Sequence, residues 1–312
     1  MKVGLDVLGG DFAPDANVEG AIKAHAELNG KAQVVLYGDE GAIGEILDRE
    51  GVSRDTFEIV HTSESIGMHE HPAKAFLKKP NSSIALGFKH LQEGVINAFA
   101  STGNSGAMLV GSMYTIRTIP GVIRPCITTA LPIMDGGMSI ILDVGINSDC
   151  KADVLYQFGI LGSIMAEQIY NIENPKVGLV NIGEEEEKGN MLTQAAHQLM
   201  KDSEEFNFIG NIEGRDLYSG KADVIVCDGF TGNVILKQAE ALYTIIKKRG
   251  VEDDYFERFN YELYGGTPVL GVNGNVIIGH GISNANAVKN MIKLSVDTAE
   301  AKLADRIRKV FK

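Results

Sequence analysis

Short apolar runs rich in Val and Ile recur along the 312-residue chain, separated by segments with helical periodicity. Runs of this length, bounded by polar residues and glycines, predict strands that are covered on both faces of a mostly parallel sheet. The predicted strands are residues 3–8, 33–37, 57–61, 97–101, 127–133, 139–144, 176–182, 206–212, 223–227 and 276–279.

The segments between these runs have the periodicity of amphipathic helices. Residues 17–28 place Val18, Ala21 and Leu28 on one helical face, and residues 288–303 repeat the pattern. The alternation predicts an α/β protein with a three-layer α/β/α sandwich. We expect one α/β domain over residues 1–312, either undivided or with a smaller second lobe made by the second half of the chain, and without a clean linker.

Many of the 36 glycines fall directly after predicted strands, together with Asn, Ser and Thr. In open α/β sheets these positions are the carboxyl ends of strands, where ligands bind. Backbone amides, side-chain amides and hydroxyls at such ends can bind an anion or polarise a carbonyl. The pattern therefore predicts a ligand site at the strand ends.

Composition excludes several classes of protein. A chain that is 44% hydrophobic and 22% charged is not disordered as a whole, and its formal charge of -12 disfavours nucleic acid as a partner. Three cysteines without CxxC spacing predict neither a disulfide framework nor a zinc site, as expected in a reducing cytoplasm. Asp6 interrupts the first apolar run, so we expect no export signal and no membrane-spanning segment.

The usual catalytic motifs are also missing. Neither GxGxxG nor GxxxxGK follows a predicted strand, and Gly103-Asn104-Ser105-Gly106 lacks the spacing of GxSxG. His69-Glu70-His71 does not match the zinc motif HExxH and is interpreted as a polar loop that leads into a helix.

Eight ordered blocks, spread over about 270 residues, resemble the bacterial phosphate acyltransferase family of phospholipid synthesis. A match of this length is more specific than any single motif. The blocks are GDFAPD with VEG from residue 10, STGNSGA from 101, LDVG from 142, VGLVNIGEE with KG from 177, EGRD from 213, CDGFTGNV from 227, YGG from 264, and HG with SN from 280.

This resemblance implies a fold akin to isopropylmalate dehydrogenase and phosphotransacetylase, a homodimer, and no metal or organic cofactor. It implies that the protein transfers a fatty acyl group from acyl carrier protein to inorganic phosphate. The acyl phosphate would then serve a downstream membrane acyltransferase that acylates glycerol 3-phosphate on the way to phosphatidic acid. We expect a cytoplasmic protein that meets the membrane at most peripherally, through that downstream enzyme.

Phosphate is the nucleophile in such a reaction, so no covalent Ser or Cys is needed. Lys188 is the candidate to pair with phosphate or polarise the thioester, Asn233 closes a loop ahead of a helix and could donate to the oxyanion, and Asp228 could orient either. The alternatives are a solvated lysine and a plain helix cap. The candidate substrate-binding residues are Gly10, Asp11, Ser101, Gly103, Asn104, Ser105, Gly106, Arg215, Gly232, His280 and Asn284.

Several of these candidates have simpler structural interpretations. The glycines could serve only tight turns, Arg215 could pair with Asp216, and Asn284 could cap a helix. His280 is a candidate proton donor to the leaving thiolate. Cys227 should face away from Asp228, into the core.

Acyl carrier proteins are acidic, so a protein of charge -12 needs a concentrated basic patch to bind one. Lys247, Lys248 and Arg249 form the densest cationic run, with Lys289 and Lys293 as the alternative. Two other functions remain open: a phosphotransacetylase-like enzyme that uses coenzyme A, and a non-catalytic scaffold that binds acyl carrier protein.

Overall fold

The computed structural model describes residues 1–311, which form two compact units. Unit 1 contains Met1–Thr118 and Tyr261–Ala304. Unit 2 contains Ile119–Asn260 and the C-terminal residues from Asp305. Unit 1 is therefore built from two segments that are distant in sequence.

The sheet of unit 1 contains strands β1 (Lys2–Asp6), β2 (Gln33–Gly38), β3 (Glu58–His61), β4 (Ala98–Ser101), β10 (Thr267–Leu270) and β11 (Asn275–Ile278). Their order is β3-β2-β1-β4-β11-β10. Neighbouring strands are parallel except for β10 and β11, which are antiparallel.

Helices cover both faces of this sheet. On one face, Val3 and Leu5 share a core with Val18, Val288 and Ile292. On the other face, Gly4 lies beneath Phe99, whose ring packs edge-on against Phe88. The helices are α1 (Asp15–Leu28), α2 (Glu40–Arg49), α3 (Pro72–Lys78), α4 (Ser83–Gln92), α5 (Ser105–Gly111) and α10 (Ala285–Glu300).

The sheet of unit 2 contains strands β5 (Cys126–Pro132), β6 (Met138–Leu142), β7 (Lys176–Val180), β8 (Asn207–Ile212) and β9 (Val224–Val226). Their order is β5-β6-β9-β7-β8. The pair β5 and β6 is antiparallel, and the other neighbours are parallel.

Unit 2 repeats the three-layer arrangement. Ile235 and Leu236 pack on Ile141 and Ile225 of one sheet face, and Gly162 lies against Leu142 and Val224 of the other. The helices are α6 (Ala152–Tyr170), α7 (Met191–Met200), α8 (Gly229–Lys248) and α9 (Asp254–Glu257). Helix α11 (Leu303–Val310) follows α10, with its first two residues in unit 1 and the rest in unit 2. Short 3-10 turns span Arg54–Thr56, Gly214–Asp216 and Tyr261–Leu263, and Ser112–Ile116 is a π-helical turn.

The predicted α/β/α class is confirmed, and all ten predicted strands are present with ends within two residues of the prediction. The prediction missed β10. Pro268 lies inside this strand and two glycines precede it, so the sequence resembles a loop. Within residues 1–311, no helix is both long and apolar enough to cross a bilayer.

Candidate functional site

Each unit has a buried aspartate at a strand end. In unit 1 this is Asp6, the last residue of β1, which is fully buried. Its carboxylate accepts hydrogen bonds from the Ser101 hydroxyl at 2.6 Å and from the Leu8 amide at 3.0 Å. Burial raises the pKa of Asp6, and these bonds partly oppose the rise because they favour the ionised form.

Two loops that contain glycines, residues 9–11 and 101–106, meet next to Asp6 and are called the glycine loops. A Cβ on Gly9 would lie 2.6 Å from the Cα of Gly103, so the backbones approach too closely for any side chain there. Gly10 has a φ of 97° and lies against Thr102. The Gly103 amide donates to the Ser101 hydroxyl at 2.9 Å, so this donor already has a partner within the protein.

The other candidates of unit 1 also have local partners. The Asp11 amide donates to the Gly281 carbonyl at 2.7 Å, although the residue itself is exposed. Asn104 caps α5 and donates to the carbonyls of Gly67, Met68 and Glu70. Ser105 is exposed at the first position of α5, and Gly106 packs on Pro72.

The ends of β11 and α10 contribute two more candidates. The His280 ring is half-buried, with its centroid 4.9 Å from that of Tyr261. Asn284 caps α10 and accepts hydrogen bonds from the amides of Asn286 and Ala287, both at 3.0 Å. The interpretation of Asn284 as a cap is thus confirmed. The polar-loop interpretation of residues 69–71 is confirmed as well, because α3 begins at Pro72.

In unit 2 the buried aspartate is Asp143, directly after β6. Its carboxylate accepts from the amides of Ile127 at 3.1 Å, Ile146 at 3.1 Å and Asn147 at 2.6 Å, and from the Asn147 side chain at 3.0 Å. Burial raises the pKa of Asp143 and the four bonds oppose the rise. Gly232 of α8 packs against the Asp143 carbonyl, where a side chain would not fit.

The prediction that Asn233 closes a loop is wrong, because α8 already begins at Gly229. Asn233 lies inside the helix and donates to the Val144 carbonyl at 3.3 Å. Asp228 is the N-cap: its two carboxylate oxygens accept from the Thr231 amide and hydroxyl, both at 2.9 Å. Because Asp228 caps the helix, α8 starts earlier in the sequence than predicted.

A cleft of about 410 Å³ opens at the carboxyl ends of β7 and β9 in unit 2. Its lining combines apolar side chains with amides, hydroxyls and one carboxylate. Cys227 is buried as predicted, although it lines the same cleft as Asp228. Burial raises the pKa of its thiol well above the ordinary range. The cleft is lined by Leu155, Leu179, Val180, Asn181, Ile182, Gly189, Asn190, Thr193, Cys227, Asp228 and Thr231.

One edge of the cleft continues into the loop between β7 and α7. This loop, Gly183 to Gly189, is called the glutamate loop because Glu184, Glu185, Glu186 and Glu187 precede Lys188. Glu184 pairs with Lys221 at 2.6 Å, and Glu186 lies 3.6 Å from Lys201. Lys188 itself is exposed, and within residues 1–311 its ammonium group has no carboxylate partner.

Arg215 does not pair with Asp216 as the sequence suggested. It forms an ion pair with Glu213, whereas Asp216 bonds to Lys221 at 3.1 Å. Glu213 and Asp216 also form a capping box, in which the side chain of each residue accepts a hydrogen bond from the backbone amide of the other. Their side chains thus bond to each other's backbone and pair with different cations. Carboxylate oxygens of Glu184, Glu213 and Asp216 lie within 4.8 Å of one another, but each already forms an ion pair with Lys221 or Arg215.

The basic run at the end of α8 is exposed. Lys247 pairs with Glu257 at 2.6 Å, whereas Lys248 and Arg249 have no carboxylate partner within residues 1–311. Lys289 and Lys293 both bind Glu27, at 2.8 and 2.7 Å, and these bonds lower the pKa of Glu27 to about 2.

Sequence reasoning missed several residues of these strand ends. In the sequence, Asp6 is evident only as a break in an apolar run, and Asp143 only as part of a matching block. Both aspartates stand at the end of an apolar strand, and this position is the signal that could have identified them. A carboxylate buried there needs several hydrogen-bond donors around it, so it indicates a polar cluster at that strand end. Asn147, Asn181 and Thr231 carry no comparable signal in the sequence.

Comparison with known proteins adds family relationships to this geometry. The family described as Fatty acid synthesis protein matches residues 1–306. A phosphate acyltransferase of Dictyoglomus turgidum is 43% identical, covering 95% of this chain and 93% of its own. One from Endomicrobium trichonymphae is 44% identical, with coverage of 99% and 97%.

Solved structures of similar fold are more distant in sequence. A phosphotransacetylase from Streptococcus pyogenes has a TM-score of 0.68 at 18% identity, covering 96% of this chain and 94% of its own. A branched-chain phosphotransacylase from Enterococcus faecalis has a TM-score of 0.64 at 11% identity, with coverage of 96% and 99%. These structures support the phosphotransacetylase-like fold predicted from the sequence.

Proposed function

Because this chain belongs to the phosphate acyltransferase family, and is therefore an acyltransferase, we propose that its acyl donor is a fatty acyl thioester of acyl carrier protein. Inorganic phosphate attacks the thioester carbonyl, a C–O bond forms, and the C–S bond breaks. The products are acyl phosphate and free acyl carrier protein. The acyl phosphate then supplies phosphatidic acid synthesis through a membrane acyltransferase that acylates glycerol 3-phosphate.

The observation that carries this proposal is Lys188, which precedes Gly189 of the cleft lining and has no carboxylate partner within residues 1–311. Negative charge grows on the carbonyl oxygen and then on the departing thiolate, so a cation at that point lowers the barrier. Neighbouring cations of unit 2, such as Lys201 and Lys221, are already bound to glutamates. Lys188 is free to act on a substrate anion.

The chemistry of the cysteines supports direct attack by phosphate. Cys126, Cys150 and Cys227 are all buried and not disulfide-bonded. Burial raises the pKa of Cys150 to about 11, and those of Cys126 and Cys227 rise well above the ordinary range. Few thiolates are therefore present at neutral pH, which disfavours an acyl-cysteine intermediate.

The cleft suits the pantetheine arm that carries the acyl group. A pantetheine thioester is a neutral chain of amides and methylenes, which matches a lining that combines Leu155 and Leu179 with the polar residues Asn181, Asn190 and Thr193. A phosphate in the same place would meet the carboxylate of Asp228 instead. Asn233, at the Val144 carbonyl, remains the proposed oxyanion donor, and Asp228 orients the start of α8.

In unit 1, the loops at residues 9–11 and 101–106 remain proposed binding sites for phosphate or phosphopantetheine. Asp11 and Ser105 are exposed, whereas the Ser101 hydroxyl and the Gly103 amide already form hydrogen bonds within the protein. We further propose that the protein is a cytoplasmic homodimer and meets the membrane through the downstream acyltransferase. Its acidic carrier docks on the exposed basic end of α8.

The test is to follow thiol release from acyl carrier protein with and without inorganic phosphate, and to measure transfer of radiolabelled phosphate into an organic-extractable product. We expect both to depend on each substrate, and the matched acyl-coenzyme A to react far more slowly. Faster reaction with acyl-coenzyme A would identify a coenzyme A enzyme. Binding of the carrier without thiol release would identify a scaffold.

A further inference from the structure

The glutamate loop is held by side-chain amides that bind its backbone carbonyls. Asn211 donates to the Glu185 carbonyl at 2.8 Å, and Asn181 donates to the Lys188 carbonyl at 3.1 Å. Gln194 donates to the carbonyl of Glu187 at 2.6 Å and to that of Gly189 at 3.3 Å. Four of the seven loop carbonyls are therefore fixed by groups outside the loop.

Asn211 is itself oriented by a buried histidine. His197 on α7 is only 4% exposed, and its Nδ1 lies 3.0 Å from Oδ1 of Asn211. Because the Asn211 Nδ2 faces the Glu185 carbonyl, it must donate there, and its Oδ1 must accept. His197 therefore carries its proton on Nδ1. The ring packs edge-on against Phe208, with centroids 5.3 Å apart, which leaves it little freedom to turn.

We infer that His197 is a positioning residue, which acts through Asn211 and the Glu185 carbonyl to hold Lys188 in place. The inference rests on the proposed role of Lys188. Four carboxylates precede Lys188 in the same loop, and an unrestrained lysine would form an ion pair with one of them. Fixing the loop carbonyls keeps the ammonium group available for substrate. A displacement of about 1 Å at a catalytic group can cost about 100-fold in rate.

The first test replaces the histidine. His197→Leu keeps the bulk of the side chain and removes the Nδ1 donor, together with the Nε2 atom that lies 4.0 Å from a Glu186 carboxylate oxygen. We expect kcat to fall about 10- to 100-fold with little change in the KM for acyl carrier protein. His197→Asn places a donor near the original Nδ1 and should restore most of the activity. Gln198→Ala is the matched control on α7, because Gln198 is exposed and bonds only to the Glu186 side chain at 3.4 Å.

A double-mutant cycle separates positioning from general stability. In the Lys188→Ala background, His197→Leu should cause no further loss beyond about twofold, because the group it positions is gone. Losses that multiply in the double variant would overturn the inference while leaving the role of Lys188 intact. Wild-type activity in Lys188→Ala would instead remove that role, and the positioning role of His197 with it.

A second measurement does not depend on activity. Amide hydrogen exchange of residues 183–189 should speed up at least tenfold in His197→Leu, return to wild type in His197→Asn, and stay unchanged in Gln198→Ala. If His197→Leu does not fold, Asn211→Asp provides the same test, since it keeps the acceptor for His197 but places an oxygen against the Glu185 carbonyl. Unchanged exchange in these variants would refute the link between His197 and the loop.

Discussion

The strand ends of the two units solve the same problem in different ways. Both bury an aspartate directly at the end of a strand, and burial raises the pKa of both carboxyl groups. In unit 1 the amides of Asp11 and Gly103 are bound within the protein, and two glycine loops pack against each other. In unit 2 a cleft remains, and Lys188, next to Gly189 of its lining, has no carboxylate partner within residues 1–311.

This difference shows why polar residues at a strand end do not by themselves define a catalytic site. Hydroxyls and amides that donate to a buried carboxylate stabilise the fold, and these donors are then not available to a substrate. A reacting centre needs space for the substrate and a charge that the protein has left unneutralised. By this measure, unit 2 is the better candidate for the chemical step.

The strongest test of the difference between the two units is Lys188→Ala, with Lys289→Ala in unit 1 as the matched control. We expect Lys188→Ala to lower kcat about 100- to 1,000-fold, the usual cost of removing one group that stabilises transition-state charge. Lys289 is held by Glu27, so its removal should leave kcat within about twofold. Steady-state kinetics at saturating phosphate decide the matter, and an active Lys188→Ala variant would contradict the assignment.

Close backbone packing should be costly to disturb in both units. Gly9→Ala and Gly232→Ala each place a Cβ against rigid backbone, so the free energy of unfolding should fall by about 2–3 kcal/mol. Gly214→Ala is the matched control, because a Cβ there meets nothing within 4 Å. Denaturant unfolding measures all three. Equal stability of Gly9→Ala and Gly214→Ala would show that the glycine loops of unit 1 are loosely packed.

The buried aspartate of unit 1 predicts a pH-dependent effect. Ser101→Ala removes a bond that favours ionised Asp6, and should destabilise the protein by about 1–2 kcal/mol. The bond lowers the pKa of a carboxyl group that burial raises, so the variant raises it further. The unfolded carboxyl ionises at its ordinary pKa. The loss of stability should therefore grow as pH rises through the folded pKa.

Urea unfolding of wild type and Ser101→Ala at about pH 5 and pH 8 tests this sign. The difference between the two proteins should be larger at the higher pH. Asn147→Ala in unit 2 is the comparison, since Asp143 keeps three backbone amides after that change and should depend less on pH. A larger loss of stability at the lower pH would refute the proposed ionisation of Asp6.

The smallest expected effect concerns docking of acyl carrier protein. Because Lys247 already pairs with Glu257, the informative variant is Lys248→Glu with Arg249→Glu. Its KM for the carrier should rise several-fold at low ionic strength, with phosphate saturation unchanged, and the rise should shrink as salt is added. Lys289→Glu with Lys293→Glu is the control in unit 1. A carrier KM that changes only in the control would move the docking site there.

Much of the fold could be predicted from the sequence because buried strands have a local signature. Apolar runs such as residues 33–37 and 139–144 identify strands without any knowledge of their neighbours. Strand β10 lacks that signature, because Pro268, which has no amide to donate to a strand ladder, lies inside it opposite Ile277 of β11. The start of α8 is set by one N-cap residue, Asp228, and in the sequence Asn233 is an equally reasonable candidate for that N-cap.

The candidate site was less predictable, because it depends on which donors find which acceptors. The sequence identified Lys188 but not the amides that hold its loop. Asn181, Gln194 and Asn211 lie on three different elements or their ends, so only the folded chain brings them to the loop. Proximity in sequence made Asp216 a candidate partner of Arg215, whereas the folded chain pairs Arg215 with Glu213 and Asp216 with Lys221.

The division of unit 1 into two chain segments has a consequence for synthesis on the ribosome. Strand β11 pairs with β4, and the Asn275 side chain bonds to Asn97 across 178 positions of sequence. The five strands of unit 2 all lie between these partners, within Ile119–Asn260. Since the N-terminal segment emerges first, it must wait with β4 incompletely paired until the whole of this insertion has left the exit tunnel. The unit whose strands flank the insertion is thus the one that completes its sheet last.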